Sequence, residues 1–159
     1  SSDLKAITGG AISLAATAAN DQIWRAFQSD DISDAFMHGP TYMANPLGCA
    51  AANACLDLFE TGAWRNQTRK IEDHFRDSLK VCTNLSGVID VRSKGAIGVV
   101  QVNDGSRLPE LKKYFVSEGV WVRPFGDIIY LMPPFILTNA QMSHLTQSVS
   151  KITSLWSKF

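Results

Sequence analysis

The first part of the chain alternates between small apolar segments and polar turns. Residues 12–18, Ile-Ser-Leu-Ala-Ala-Thr-Ala, are small and apolar, which predicts a buried strand packed closely by its neighbours. Asn20 or Asp21 is suited to cap a short helix that continues to about Gln28. The apolar stripe of this helix consists of Ile23, Trp24 and Phe27.

A longer helix follows, with a recognisable start and end. The acidic segment 29–42 has no hydrophobic period and predicts a loop. Asn45 then supplies a capping side chain, and Pro46 is suited to the first helical position. This helix is predicted to continue to about Glu60 and to end at Gly62. Because small residues occupy nearly all its sides, we expect it to pack tightly on more than one face.

Beyond Gly62 the hydrophobic period changes from helical to alternating and back. This switch predicts two parts: residues 1–62 form the end of an α/β layer, and residues 63–159 form a compact α+β domain. The predicted elements of the second part are helix 64–85, strands 88–92 and 97–102, helix 108–118, strands 120–123 and 128–132, and helix 139–159.

Composition and charge exclude several classes of protein. The 159 residues carry 15 Lys and Arg against 15 Asp and Glu, so no net charge attracts the chain to nucleic acid or anionic lipid. No apolar run approaches the roughly 18 residues of a membrane span. Three cysteines without a Cys-x-x-Cys spacing argue against a disulfide framework or a zinc site. We therefore expect no metal site and a cytoplasmic location.

Two segments near the start of the chain contain residue types that can carry chemistry. Lys5 stands in Lys-Ala-Ile-Thr-Gly-Gly, and a desolvated amine on such a tight turn can form a Schiff base with a carbonyl. The alternative is a solvated lysine. The segment His38-Gly39-Pro40-Thr41 lies just before a helix start, where hydroxyl and N–H groups suit a phosphate. The alternative there is a proline-containing turn with a buried histidine.

A third segment contains Arg123, at the end of a predicted strand and on the same side of it as Trp121. The forked donors of a guanidinium bind a carboxylate with two parallel hydrogen bonds. The alternative is a solvent-facing strand end. His74 and His144 have no partners at metal-ligand spacing, and we expect both at the surface.

Together with three further motifs, these segments form a recognisable series. In chain order the motifs are Lys-Ala-Ile-Thr-Gly-Gly at 5–10, Met-His-Gly-Pro-Thr-Tyr-Met at 37–43, Asn-Pro-Leu at 45–47, Gly-Ala-Ile-Gly at 95–98 and the run 119–134. The series resembles the class-III pyridoxal-phosphate aminotransferases, the group of the ornithine and acetylornithine enzymes, over essentially the whole chain. Within that family, Arg-Pro-Phe-Gly-Asp-Ile-Ile-Tyr-Leu-Met-Pro-Pro at 123–134 is most similar to the enzymes of biotin biosynthesis.

The resemblance implies roles for five residues. Lys5 would be the catalytic lysine, forming a Schiff base with pyridoxal 5′-phosphate and carrying a proton between cofactor and substrate. Pro40 and Thr41 would bind the cofactor phosphate of the neighbouring subunit. Gly39 would contact the keto substrate through its backbone, and Arg123 would hold the carboxylate of that substrate.

The resemblance also implies a fold and an activity. The fold is α/β, the C-terminal portion of a fold-type I transferase, with the end of the cofactor-binding large domain at 1–62 and the small domain at 63–159. The activity is transfer of the amino group of S-adenosylmethionine to 8-amino-7-oxononanoate, giving 7,8-diaminononanoate, in a homodimer with shared active sites. An aminotransferase acting on ornithine, acetylornithine or 4-aminobutyrate is the alternative.

A second alternative is a chain without activity of its own. In the family, the glycine-rich phosphate cradle, the aromatic stacked on the cofactor ring and the acid beside the ring nitrogen all precede the segment that matches Lys5. The sequence begins Ser-Ser-Asp-Leu, without Met. We therefore expect the 159-residue chain alone to form an incomplete, inactive site, and a non-catalytic fragment that only self-associates is an alternative.

Overall fold

The computed structural model describes residues 2–3 and 5–158, with side chains from Ala6 onward. The chain divides into two compact units, residues 1–62 and 63–159. The two units contain different kinds of structure: short elements, turns and one long helix in the first, a sheet covered by helices in the second.

Among its described residues, the first unit contains two very short strands and two α-helices. Strand β1 (Ser2–Asp3) pairs antiparallel with β2 (Ala15–Ala16), and a 3-10 turn (Lys5–Thr8) lies between them. Helix α1 (Asp21–Arg25) is capped by Asn20, whose side-chain oxygen accepts from the Ile23 N–H at 3.0 Å.

The buried strand predicted over 12–18 is wrong. Within the described residues of this unit only Ala15–Ala16 form a strand, and both are exposed, because a ladder of two residue pairs cannot cover a face of the segment. The stripe of α1 is exposed as well, although the start of that helix is as predicted.

Helix α2 (Pro46–Glu60) starts and ends as the sequence predicts. The Asn45 side chain accepts from the Leu47 N–H at 3.1 Å. Pro46 has no N–H group, so the first helical position leaves no donor unpaired. Its predicted packing on several faces is wrong, because only Gly48 and Ala52 of this helix are buried in the described chain.

The second unit forms a sheet covered by helices. In the described part of the chain, its strands form an antiparallel sheet in the order β3-β4-β5. The elements are α3 (Ala63–Leu79) with a 3-10 turn (Lys80–Asn84), β3 (Val88–Lys94), β4 (Ile97–Val102), a 3-10 turn (Leu108–Leu111) leading into α4 (Lys112–Ser117), β5 (Ile128–Leu131) and α5 (Asn139–Trp156).

The core of this unit lies between the sheet and helices α3 and α5. The predicted stripe of α3 is confirmed, since Ile71, Phe75 and Leu79 are buried and Cys82 follows them into the core. A Cβ atom at Gly98 of β4 would lie 2.8 Å from a ring carbon of Phe75, so a glycine is required where the sheet meets α3.

Two predictions in this unit need correction. The segment 120–123 forms no strand ladder in the described structure. The Val122 side chain is buried in the core without strand pairing. Pro124, after Arg123, has no N–H group to donate to a neighbouring strand. His74 is half-buried rather than exposed, and its Nε2 lies 3.2 Å from the hydroxyl of Thr146 on α5. His144 is exposed as predicted.

Helix α5 begins with a capping box. The Gln141 N–H donates to the Thr138 hydroxyl at 3.3 Å, and the Thr138 N–H donates to the Gln141 side chain at 2.9 Å. Met142, Val149 and Ile152 on the next turns are buried, which confirms the predicted face of the helix. None of the helices in the described ranges combines the length and the apolar character needed to span a bilayer.

Candidate active site

Lys5 begins the 3-10 turn of the first unit. Its side chain lies outside the described residues, so the role of its amine stays a prediction. The turn itself is well fixed, because the buried hydroxyl of Thr8 donates to the Ile12 carbonyl at 2.6 Å. Gly9 follows with a φ of +60°, in the left-handed region that favours glycine, and reverses the chain direction.

Helix α2 packs directly against this turn. The Cys55 thiol donates to the Ala6 carbonyl across 3.7 Å. At the start of the helix, a Cβ atom added to Gly48 would lie 3.3 Å from Leu14, just beyond the turn. The small residues of α2 therefore bring the helix close to the segment that begins with Lys5.

The residues Gly39, Pro40 and Thr41 lie in an exposed turn before α2. The Pro40 carbonyl accepts from the Met43 N–H at 2.9 Å, which closes the turn. Among the described residues, the Thr41 hydroxyl has no hydrogen-bond partner, so it is available as a donor. His38 is exposed, and the alternative of a buried histidine here is wrong.

Arg123 lies in the second unit, at one side of an open groove. The groove has a volume of about 360 Å³, and its apolar lining includes Trp121, Met132 and Leu137. Arg123 contributes the one charged side chain among the described residues that line it. The guanidinium is exposed and makes no ion pair or hydrogen bond within the described chain.

This groove is suited to a mostly apolar ligand that ends in an anion. A guanidinium without a protein partner keeps its five donors available for a carboxylate. Trp121, with 74% of its surface exposed, forms part of the lining beside Arg123. Phe125 does not line the groove.

The predicted site residues are therefore divided between the units. Lys5, Gly39, Pro40 and Thr41 belong to the first unit, and Arg123 belongs to the second. Sequence reasoning missed the contribution of Tyr130 to the groove. The signal was present, because Tyr130 alternates with Ile129, whose side chain is buried on the opposite face of β5.

The described residues hold no candidate metal centre, since no group of His, Cys, Asp and Glu among them could bind an ion. Burial raises the pKa of the Cys82 thiol above its ordinary value of 9.0, and the Ser150 hydroxyl opposes that shift only in part. Cys82 is thus a neutral core residue and not an activated nucleophile.

Comparison with known proteins identifies the family. Residues 2–153 match the family described as Aminotransferase class-III. The adenosylmethionine-8-amino-7-oxononanoate aminotransferase of Corynebacterium glutamicum is 42% identical over 141 residues, which cover 89% of this chain and 33% of that protein. The chain thus spans about a third of the length of the curated relatives it matches.

Solved structures agree with this match. The aminotransferase of the same name from Methanocaldococcus jannaschii has a TM-score of 0.76 at 28% identity, covering 94% of this chain and 37% of that one. An amine transaminase from an uncultivated Pseudomonas species, solved in its PLP-bound form, has a TM-score of 0.75 at 28% identity, covering 94% and 36%. The predicted fold class, the C-terminal portion of a fold-type I transferase, is confirmed by these neighbours. This chain belongs to the class-III aminotransferase family.

Proposed function

We propose that this chain is the C-terminal part of a pyridoxal-phosphate-dependent transaminase of biotin biosynthesis, which transfers the amino group of S-adenosylmethionine to 8-amino-7-oxononanoate. The names of its relatives support this proposal. The structural observation that carries it is the unpartnered guanidinium of Arg123 at the side of an apolar groove.

The shape of the acceptor explains why that arrangement is suitable. The proposed acceptor is a long, mostly apolar chain with a carboxylate at its far end, and binding that end fixes the position of the ketone. Arg123 would hold the carboxylate through two parallel charge-assisted hydrogen bonds, and the groove lining would cover the apolar chain. A lysine at this position would offer only a point charge.

The residues of the first unit fit the cofactor that the family uses. Pyridoxal 5′-phosphate supplies an electron sink when bound. The free hydroxyl of Thr41 in an exposed turn is the kind of donor that a phosphate requires, and Pro40 orients that turn. Lys5 would hold the cofactor and move a proton to and from the substrate carbon, and Gly39 would contact the keto substrate.

We further propose a cytoplasmic homodimer in which Pro40 and Thr41 reach the partner's cofactor. Large apolar side chains are exposed across the first unit, and such patches mark interaction surfaces, of which a subunit interface is one kind. The most exposed of them are Ile32, Met37, Tyr42, Leu47 and Leu58. Sedimentation of the holoenzyme tests this arrangement, and a monomer at micromolar concentration would contradict it.

The decisive experiment replaces Arg123 and measures each half-reaction separately. In a holoenzyme of the relatives' length, Arg123→Ala is expected to weaken the acceptor half-reaction by about 2–4 kcal/mol, the scale of a lost desolvated charge partner. The half-reaction with S-adenosylmethionine should change far less, since that donor lacks the distant carboxylate. Arg69→Ala, which removes an exposed arginine from α3, is the matched control. Equal losses in both half-reactions would make Arg123 a structural residue.

A screen of amino donors tests the alternatives within the family. The proposed enzyme uses S-adenosylmethionine. Ready use of ornithine, acetylornithine or 4-aminobutyrate with 2-oxoglutarate, and no use of S-adenosylmethionine, would overturn the biotin-pathway assignment.

The remaining alternative, a chain that only self-associates, has its own test. We expect the 159-residue chain alone, mixed with pyridoxal phosphate, to show no turnover. A stable visible absorbance band of bound cofactor, together with turnover, would show that this chain suffices for activity.

A further inference from the structure

We propose that Gln101, Asp127 and Gly105 are positioning residues for Arg123: together they fix the hairpin that follows it and thereby set where its guanidinium meets the acceptor carboxylate. This inference rests on the proposed function of Arg123. It assigns a role in acceptor selection to residues at one end of β4 and in the adjoining loops, outside the groove itself.

The hairpin begins two residues after Arg123. Phe125 and Ile128 exchange both backbone hydrogen bonds, at 2.9 and 3.0 Å, and Gly126 between them has a φ of +58°. On its other side Arg123 follows Val122, which is 4% exposed and anchored in the core. The backbone at Arg123 is thus held between one buried side chain and one tight hairpin.

Gln101 fixes this hairpin through its side-chain amide. Its Nε2 donates to the Asp127 carboxylate at 2.7 Å, and its Oε1 accepts from the Arg92 guanidinium at 2.8 Å. The amide thus connects a cation to an anion, and each neighbour favours the same orientation of the amide group. The backbone reinforces the connection, because the Val102 N–H donates to the Asp127 carbonyl at 2.9 Å.

Gly105 also fixes the hairpin, because its backbone packs directly against the backbone of Gly126 and Asp127. A Cβ atom at this position would overlap the Gly126 carbonyl oxygen and would lie 2.8 Å from the Asp127 Cα. The φ of Gly105 lies outside the left-handed region, so contact, and not conformational freedom, requires glycine here. Any larger residue at 105 must displace the hairpin.

Because only Pro124 separates Arg123 from the hairpin, a displacement of the hairpin also moves Arg123. Bidentate binding of a carboxylate depends on both the position and the plane of the guanidinium. A displacement of about 1 Å at a substrate-positioning residue can lower a rate by roughly a hundredfold. The effect should be specific to the acceptor, because the donor half-reaction does not use this carboxylate contact.

Exchanging the amide and the carboxylate between positions 101 and 127 tests the hydrogen bond that joins them. Gln101→Glu places two carboxylates against each other, and it is expected to raise the KM for 8-amino-7-oxononanoate about tenfold, the scale of one lost charge-assisted hydrogen bond. The double variant Gln101→Glu with Asp127→Asn restores one amide and one carboxylate in exchanged positions. It should recover the KM to within about twofold, since the bridge then forms again.

Gly105→Ala tests the close approach independently. In the same holoenzyme it should weaken the acceptor half-reaction by roughly ten- to a hundredfold and leave the donor half-reaction within about twofold. Amide hydrogen exchange at Phe125 and Ile128 gives a readout without turnover, and both amides should exchange faster. Ser106→Ala, at the neighbouring exposed position, is the control that should change neither measurement.

The outcomes separate this inference from the proposed function. Equal losses in the two half-reactions for Gln101→Glu or Gly105→Ala, or no recovery in the double variant, would overturn the positioning role. If Arg123→Ala leaves the acceptor half-reaction unchanged, the proposed function itself fails. A selective loss of the acceptor half-reaction in Arg123→Ala, Gln101→Glu and Gly105→Ala, with recovery in the double variant, supports both the positioning role and the proposed function.

Discussion

The two units of this chain respond differently to the same kind of hydrophobic pattern. In the second unit the core positions are covered by the unit's own elements, and Phe75 and Phe115 are fully buried. Apolar side chains outside that core, such as Ile136, stay exposed. In the first unit comparable side chains remain exposed, with 61% of Trp24 on α1 and 72% of Leu58 on α2 accessible to solvent. A periodic hydrophobic pattern therefore identifies which side chains are to be buried, but it does not identify the part of the protein or the partner that buries them.

The largest expected effect is a difference in the free energy of unfolding when one apolar residue is replaced in each unit. Phe75→Ala should lower the free energy of unfolding by about 3–5 kcal/mol, because it leaves a cavity between α3 and the sheet. Leu58→Ala on α2 should change it by less than about 0.5 kcal/mol in the isolated chain. Urea denaturation measures both values. A large loss for Leu58→Ala would show that the first unit buries this face in solution.

Thiol labelling should give the next largest contrast. Cys49 in α2 is exposed, whereas Cys82 is buried in the second unit. We expect Cys49 to react with a disulfide reagent about a hundredfold faster or more, because Cys82 reacts only when its unit opens. Mass spectrometry of labelled peptides identifies the two sites, and similar rates at both would mean that the second unit is not stably closed.

Cys82 also predicts a dependence of stability on pH. Its raised pKa means that the folded chain keeps the thiol proton to higher pH than the unfolded chain does. The free energy of unfolding should therefore fall as the pH rises above about 9, the ordinary value for the thiol. Cys82→Ala should remove this part of the alkaline slope, and an unchanged slope would contradict the burial.

The smallest expected effect concerns helix caps. Thr138→Ala removes one side of the capping box of α5 and should destabilise the second unit by about 1 kcal/mol. Asn45→Ala removes the cap of α2 in the first unit, and it should leave the main unfolding transition of the second unit unchanged. If both variants shift that transition equally, the two units unfold as one.

The fold was predictable wherever local signals and local packing agree. The cap at Asn45, the stripe through Phe75 and the alternation in β4 all predicted elements that the structure contains. The segment 120–123 has the same alternation but forms no ladder, because pairing depends on a neighbouring edge and Pro124 lacks an N–H. The small apolar segment 12–18 is only partly covered by the described residues, because Ile12 and Leu14 are half-buried and the rest of the segment is exposed.

The candidate site is predicted from motifs alone, and the roles of its residues stay predictions. Lys5, Thr41 and Arg123 were identified because their neighbours form a series, and each alone is an ordinary residue. The contribution of Gln101 could not be read from the sequence, because its partners Arg92 and Asp127 are 9 and 26 residues away along the chain. Such contacts exist only once the sheet has formed.

The outer strand of the sheet bears on how the chain avoids aggregation. β3 lies at the edge of the sheet, and an edge strand presents unpaired N–H and C=O groups that can recruit a strand from another molecule. Its register shifts between Val88 and Asp90, and such an irregularity twists an edge away from flat pairing. The charged side chains of Asp90, Arg92 and Lys94 would have to be desolvated by any added strand. These features make fibre-like stacking through this edge unfavourable.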